Sequence, residues 1–223
     1  MTTRENLFVD ITPEQYHKFA TEGSNPWNQI LVSRLHQVVS ELNRPAPVIL
    51  DIGMGTGHLL MTLAADTSFE HCKLAGLDID PGMVNKAREE AARLRLSDRL
   101  TLLNGDVHAI PYKDNEIDII YGRSIVHHWA NPVKGFTEIF RVLRPGGVVV
   151  IHEPLRDPEA AALAAFNAGR KEVGVENMSI EEKYTVSEIK EQLEHAKFAG
   201  HVRVERGEGA AALGCEIYLV KAE

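Results

Sequence analysis

A chain of 223 residues can bury the core of one large domain, and its 44% hydrophobic and 25% charged residues are ordinary for a globular protein. A net charge of −8 argues against nucleic acid as the main partner, since phosphate binding wants a basic face, and no apolar run approaches the roughly 18 residues that span a bilayer. Cys72 and Cys215 stand alone without C-x-x-C spacing, and no signal-peptide h-region follows Met1, so a reduced cytoplasmic protein is expected.

In chain order, Thr12-Pro13-Glu14-Gln15 reads as a capping box with Pro at the first helical position, and Gly23 ends that helix. Asn25-Pro26-Trp27 opens a second helix, whose apolar face is Ile30, Leu31, Leu35, Val38, Val39 and Leu42. Strand–helix units then alternate over residues 48–152. Apolar runs from Val48, over 73–78 and over 100–107 read as strands that each end at or near an acid: Asp51, Asp78 and Asp106. Asp80-Pro81 caps the helix that carries Met83, and Asn131-Pro132 caps one carrying Val133, Phe136, Ile139, Phe140 and Leu143. Pro145-Gly146-Gly147 turns the chain into Val148-Val149-Val150-Ile151, apolar on both faces and so central in a parallel sheet. Residues 154–184 interrupt the rhythm with an Ala-rich helix to about Arg170 and a loop over 174–179. Thr185 and Glu188 form a second capping box before a helix to about Lys197. Residues 201–206 and 214–220 read as two strands. No internal repeat or linker divides the chain, so one domain over 1–223 is expected. Its parts are a helical section 1–45, a core 46–153, an insertion 154–184 and a closing segment 185–223.

The stretch Val48-Ile49-Leu50-Asp51-Ile52-Gly53-Met54-Gly55-Thr56-Gly57 is a buried strand, a tight turn and a helix N-terminus. Glycines let a ligand lie against the backbone, and the helix start offers free N–H groups. The spacing is not the dinucleotide G-x-G-x-x-G, and Asp51 would repel a pyrophosphate, which disfavours a nicotinamide-dependent oxidoreductase. An acid there suits a ligand bearing an ammonium or sulfonium group. Asp78, about twenty residues on, stands where an acid grips ribose hydroxyls in nucleotide folds.

The chain resembles the class I S-adenosylmethionine-dependent methyltransferases. The resemblance lies in Asp51-Ile52-Gly53-Met54-Gly55-Thr56-Gly57, Gly76-Leu77-Asp78-Ile79-Asp80-Pro81, Asn104-Gly105-Asp106, Asp118-Ile119-Ile120-Tyr121-Gly122-Arg123-Ser124 and Leu143-Arg144-Pro145-Gly146-Gly147, in family order over residues 45–153. Ser124-Ile125-Val126-His127-His128-Trp129 is similar to its small-molecule branch; Met54 departs from the small residues usual there. The resemblance implies an α/β, Rossmann-like fold: a seven-stranded, mostly parallel sheet with helices on both faces and a C-terminal antiparallel strand pair. It implies S-adenosyl-L-methionine as cofactor. Gly53, Gly55 and Gly57 would lie against its methionine portion, Asp51 would reach its ammonium and Asp78 its ribose. Met83 would pack on the adenine face, unless it only fills the core, with Asp106 and the backbone of Val107 at the adenine amino group and Ile79 a further cofactor contact. Arg123 would hold the cofactor carboxylate or an acidic substrate group, unless it is a surface ion pair.

Methyl transfer needs an acceptor placed in line behind the carbon, and an O–H or N–H acceptor also needs a base. His127 and His128 follow the fourth strand; His152 and Glu153 end the fifth. A His/Glu base pair is one reading and a metal site another, with His128 favoured as base or substrate contact and no metal expected. The third reading is that one histidine only packs, because adjacent helical residues point about 100° apart. Residues 154–184 and the N-terminal helices, with Tyr16 and Tyr184, form either a lid or a plain connection. The expected partner is a small-molecule substrate, with no nucleic acid or membrane, in a monomer or homodimer. A protein that binds the cofactor without methylating is the alternative.

Overall fold

The computed structural model describes residues 12–23, 25–172 and 174–223. Its elements alternate as the apolar pattern predicts: α1 (Pro13–Lys18) and α2 (Asn25–Leu42) precede β1 (Val48–Ile52), α3 (His58–Ala65), β2 (Lys73–Asp78), α4 (Pro81–Arg93) and β3 (Leu100–Asn104). β4 (Ile117–Arg123), α5 (Pro132–Val142), β5 (Leu143–Pro154), α6 (Ala160–Glu172), α7 (Val186–His195), β6 (Gly200–Arg206) and β7 (Gly214–Lys221) follow. The capping boxes form as expected: Thr12 accepts from the Gln15 N–H and Thr185 from the Glu188 N–H, with both reciprocal bonds present.

The strands form one sheet in the order β3-β2-β1-β4-β5-β7-β6. β1 to β5 run parallel, and only β7 runs antiparallel to its neighbours. The expected C-terminal antiparallel pair is therefore β6–β7, with β7 inserted between β5 and β6. One boundary differs. Residues 145–147, read as a turn before the fifth strand, belong to β5. The register slips there: Ile117 pairs with Leu143 and Ile119 with Val148, so residues 144–147 of β5 bulge out, with Gly146 at φ 68°.

Each face of the sheet carries its own core. Leu50, Ile52, Ile120 and Ile151 pack with Phe136 and Ile139 of α5 and Ile189 of α7. Ile49, Ile119, Tyr121 and Val150 pack on the other face with Leu31 and Leu35 of α2, Leu60 of α3 and Val84 of α4. At the N-terminal edge, the fully buried Asp118 accepts from the Val48 N–H at 2.8 Å and pairs with Arg44 and Arg144. A buried carboxylate needs that many partners. The strand order reverses between β1 and β4, so their C-terminal ends open the crevice where α/β sheets bind ligands. Among the described residues, no helix is long and apolar enough to cross a membrane.

Candidate active site

β1 leads into α3 through a loop in which Gly53, Gly55 and Gly57 have φ of 68°, 56° and 75°. The N–H groups of Gly53 and Met54 donate to the Leu77 carbonyl at 2.8 and 3.1 Å, which ties the loop to the end of β2. A Cβ on Gly55 would fall 3.0 Å from the Tyr16 hydroxyl oxygen and closer still to its ring, so only glycine lets an aromatic ring lie on the backbone there. Met54, the departure from the family pattern, has its explanation in β2. Its sulfur occupies the place of the Cβ that residue 76 lacks as a glycine.

Asp51 is 2% exposed. Burial pushes its carboxyl up to about 8; the charge of Asp78 adds to this, while Tyr121 and Arg123 oppose it. Tyr121, paired with Asp51 across β1–β4, is fully buried, and burial with the neighbouring Asp51 keeps its phenol protonated. Arg123 stands two residues beyond Tyr121 and so on the same face. With Tyr16, Asn28, Asp51 and His58 it lines a cavity of about 20 Å³, room for one water. Helix α1 closes this cavity. Its His17 Nδ1 lies 3.1 Å from the Thr56 hydroxyl, and its Tyr16 phenol is pushed up by burial although Arg123 pulls it back.

The ribose and adenine candidates line the neighbouring strand ends. Asp78, 8% exposed, accepts from the Gly55 N–H at 2.7 Å and the Asp80 N–H at 2.9 Å, one bond to each oxygen. Each oxygen keeps a second lone pair for a hydroxyl. Asp80 caps α4 through the Gly82 N–H. Ile79 is 55% exposed at the lip of the cleft, and Asn104 holds it there by donating to the carbonyls of Asp78 and Ile79. Met83 is buried in α4. Asp106 accepts from the His108 N–H at 2.9 Å and lies 2.6 Å from His108 Nδ1, while Val107 opens a short 3₁₀ turn.

Beyond β4, Ser124 takes a left-handed φ of 58°, with its N–H donating to the His152 carbonyl at 2.8 Å. This bend turns three N–H groups onto Glu153. One carboxylate oxygen accepts from Ile125 and Val126 at 2.9 and 3.1 Å; the other accepts from the His127 N–H at 3.2 Å and contacts His127 Nδ1. Glu153 is fully buried and His127 is 2% exposed, so this pair anchors the turn. His128 is within the electrostatic reach of Lys183 and Glu182 of the insertion; burial, with His127 and Lys183 adding and Glu182 opposing, lowers it to about 3. Lys183 is itself buried and donates to Glu182 at 2.9 Å. His152 is 6% exposed, with Nε2 3.3 Å from Glu216.

The sequence-predicted residues thus fall into two groups. Asp51, Gly53, Gly55 and Arg123 gather at the glycine loop with Asp78 beside them. Glu153, His127 and His128 form a second cluster under the insertion, and His152 stands beside Arg123 across β4–β5, on the face of the first group. Sequence reasoning missed Tyr121, Asn28, Lys183 and Glu216. Strand alternation from Arg123 would have placed Tyr121 on the Asp51 face; no local signal marks Asn28, Lys183 or Glu216.

Glycine loop, strand-end acids and strand order together define a protein that binds a small cofactor at the carboxyl edge of a methyltransferase-type sheet. Residues 44–204 match the model of the methyltransferase domain family, and the chain belongs to that family, whose cofactor is S-adenosyl-L-methionine. It is similar to the demethylmenaquinone methyltransferase of Symbiobacterium thermophilum, 32% identical over 54% of this chain and 45% of that protein. It is also similar to the sterol 24-C-methyltransferase erg6 of Schizosaccharomyces pombe, 30% identical over 49% of this chain and 28% of that one. The chain spans under half the length of these relatives. A solved S-adenosyl-L-methionine-dependent methyltransferase-class protein of Methanococcus maripaludis superposes with a TM-score of 0.72 at 25% identity, covering 95% of this chain and 92% of its own.

Proposed function

We propose that the chain transfers the methyl group of S-adenosyl-L-methionine to a small-molecule acceptor, and that a pocket histidine takes the acceptor's proton. The observation that carries this is the juxtaposition of a buried carboxyl, Asp51, and a half-buried guanidinium, Arg123, in the lining of the glycine-loop cavity. That pair fits the ammonium and carboxylate of an amino-acid head group. With the Tyr16 ring moved aside, the Gly55 backbone would fit the chain joining head group to nucleoside, and the exposed Ile79 fits an adenine face.

Bound S-adenosyl-L-methionine supplies an electrophilic methyl group. Asp51 receives its ammonium and Arg123 its carboxylate. Asp78 accepts from both ribose hydroxyls, and Asp106 accepts from the adenine amino group beside the Val107 backbone, with Met83 below. Gly53 and Gly57 shape the loop. Helix α1 and the stretch around Lys183 exclude water and hold the acceptor in line. One of the histidines at the ends of β4 and β5 (His127, His128 or His152) supplies the base, and Glu153 holds the turn that places two of them. The relatives' names, a demethylmenaquinone and a sterol methyltransferase, support a small acceptor.

The test uses S-adenosyl-L-methionine labelled on its methyl carbon, incubated with the protein and fractionated extract of its source cells. Label in a low-molecular-weight product supports methyl transfer and delivers the acceptor. Binding of S-adenosylhomocysteine with no label in any fraction would favour a cofactor-binding protein that does not methylate.

A further inference from the structure

Across β4, β5 and β7, Arg123 pairs with His152 and His152 with Glu216, so three charged or titratable side chains stand in one row on the sheet. Tyr121, two residues before Arg123, pairs with Asp51, which puts the row on the same face as the Asp51 carboxyl and at the crevice end of the strands. His152 is 6% exposed, and its Nε2 lies 3.3 Å from one oxygen of Glu216. The other oxygen of Glu216 accepts from Arg34 of α2 at 3.0 Å and from Arg203 of β6 at 3.3 Å. Both guanidiniums also stack on Tyr218, at 4.6 and 5.0 Å from the ring centre.

Two arginines, fixed by one aromatic ring, therefore hold one carboxylate, and that carboxylate faces one imidazole. Burial alone would raise Glu216, but the hydrogen bond to His152 and the charges of Arg34, His152 and Arg203 bring it below the usual carboxylate range. An ionised Glu216 accepts a hydrogen bond from the Nε2–H of His152, which fixes the tautomer whose Nδ1 carries the lone pair. Of the other two candidate histidines, His127 is held through Nδ1 by Glu153, whose oxygens also take the three N–H groups of the buried turn, and burial leaves His128 a weak base.

We propose that His152 is the base that takes the acceptor's proton and that Glu216, clamped by Arg34 and Arg203, is its positioning residue. The proposal rests on the methyl-transfer reading and narrows it to acceptors that react through an oxygen or nitrogen bearing a proton. The acceptor heteroatom gives its proton to His152 Nδ1 and its electron pair to the methyl carbon. The carbon–sulfur bond breaks with its pair passing to sulfur, which leaves S-adenosylhomocysteine, the methylated acceptor and a protonated His152.

The test has two readouts. Protein labelled with ¹⁵N in its histidine rings is observed in complex with S-adenosylhomocysteine, with His152→Asn assigning the signal. The expected spectrum shows a protonated Nε2 and a bare Nδ1 at His152, and Glu216→Gln converts it to a mixture of tautomers. A dominant Nδ1–H tautomer overturns the proposal. With the acceptor from the labelling experiment, His152→Asn should lower kcat by about 10²- to 10⁴-fold at unchanged S-adenosylhomocysteine affinity. Glu216→Gln should lower kcat at least about tenfold with little change in the acceptor KM, partly restored in Glu216→Asp. A His152→Asn enzyme within twofold of normal kcat overturns the assignment. If no acceptor is methylated although S-adenosylhomocysteine binds, the methyl-transfer reading fails by itself, and the spectrum still decides the His152–Glu216 arrangement.

Discussion

Asp51→Asn separates what the fold tolerates from what the site needs. The native carboxyl is raised from 3.8 to about 8. At pH 7 the unfolded chain gains about 4 kcal/mol by ionising this group, at about 1.4 kcal/mol per pH unit, and the folded protein forgoes that gain. Between these values the native state binds the proton that the unfolded state has lost, so the group destabilises the fold increasingly as pH rises from about 4 to about 8. Asparagine has the same shape and no proton to lose. The variant should be more stable by about 2–4 kcal/mol at pH 7, a rise in Tm on the order of 5–15 °C. The gap should shrink to about 1–2 kcal/mol at pH 5. Urea titrations of both proteins at pH 5, 6 and 7 measure it. The same change should weaken S-adenosylhomocysteine binding. It should also abolish the release of about 0.9 proton that binding to the native protein produces at pH 7, seen by calorimetry in buffers of different ionisation enthalpy. A stability gap that does not vary with pH would refute the reasoning, since only a shifted titration makes it grow.

Asp78→Ala should weaken S-adenosylhomocysteine binding severely; calorimetry that finds affinity within twofold of native would remove Asp78 from the ribose site. Glu153→Gln leaves three N–H donors and His127 facing a poorer acceptor, and should destabilise the fold by about 3 kcal/mol in urea titration, against which a change under about 0.5 kcal/mol would count. His128, lowered to about 3, stays neutral in the fold while the unfolded histidine protonates below about 6.5, so its stabilising effect is lost as pH falls through that range. His128→Gln should therefore flatten the acid limb of the stability curve by up to about 2 kcal/mol at pH 5, and an unchanged limb would speak against it. Tyr16→Ala removes the ring that lies on Gly55 and should make α1 markedly more sensitive to limited proteolysis; an unchanged cleavage rate would show that His17 and Thr56 hold α1 without it.

The alternation of strands and helices was legible because it is written in local periodicity: Val48 to Ile52 reads the same in any parallel sheet. The strand-end acids and the glycine loop were legible because their chemistry is local too. The surroundings of the histidines were not. Adjacent His127 and His128 differ only in what the folded chain brings to them, Glu153 for one and the Lys183 region for the other, and these partners lie 26 and 55 positions away. Glu216 carries no signature, for a glutamate in a strand gains meaning only once Arg34, Arg203 and His152 surround it. The size of Met54 likewise made sense only beside Gly76, which no spacing rule connects to it.

β7 stands inside the sheet, between β5 and β6, although it follows β6 along the chain. As the polypeptide is synthesised, β6 emerges before the only strand it pairs with, and β5 waits with one edge open. The backbone groups of β5 and β6 that face β7 remain unpaired until residues 214–221 arrive between them. Closure of the sheet is thus a late event of biosynthesis, and the interval before it is when an unpaired β5 edge is open to strands of other molecules.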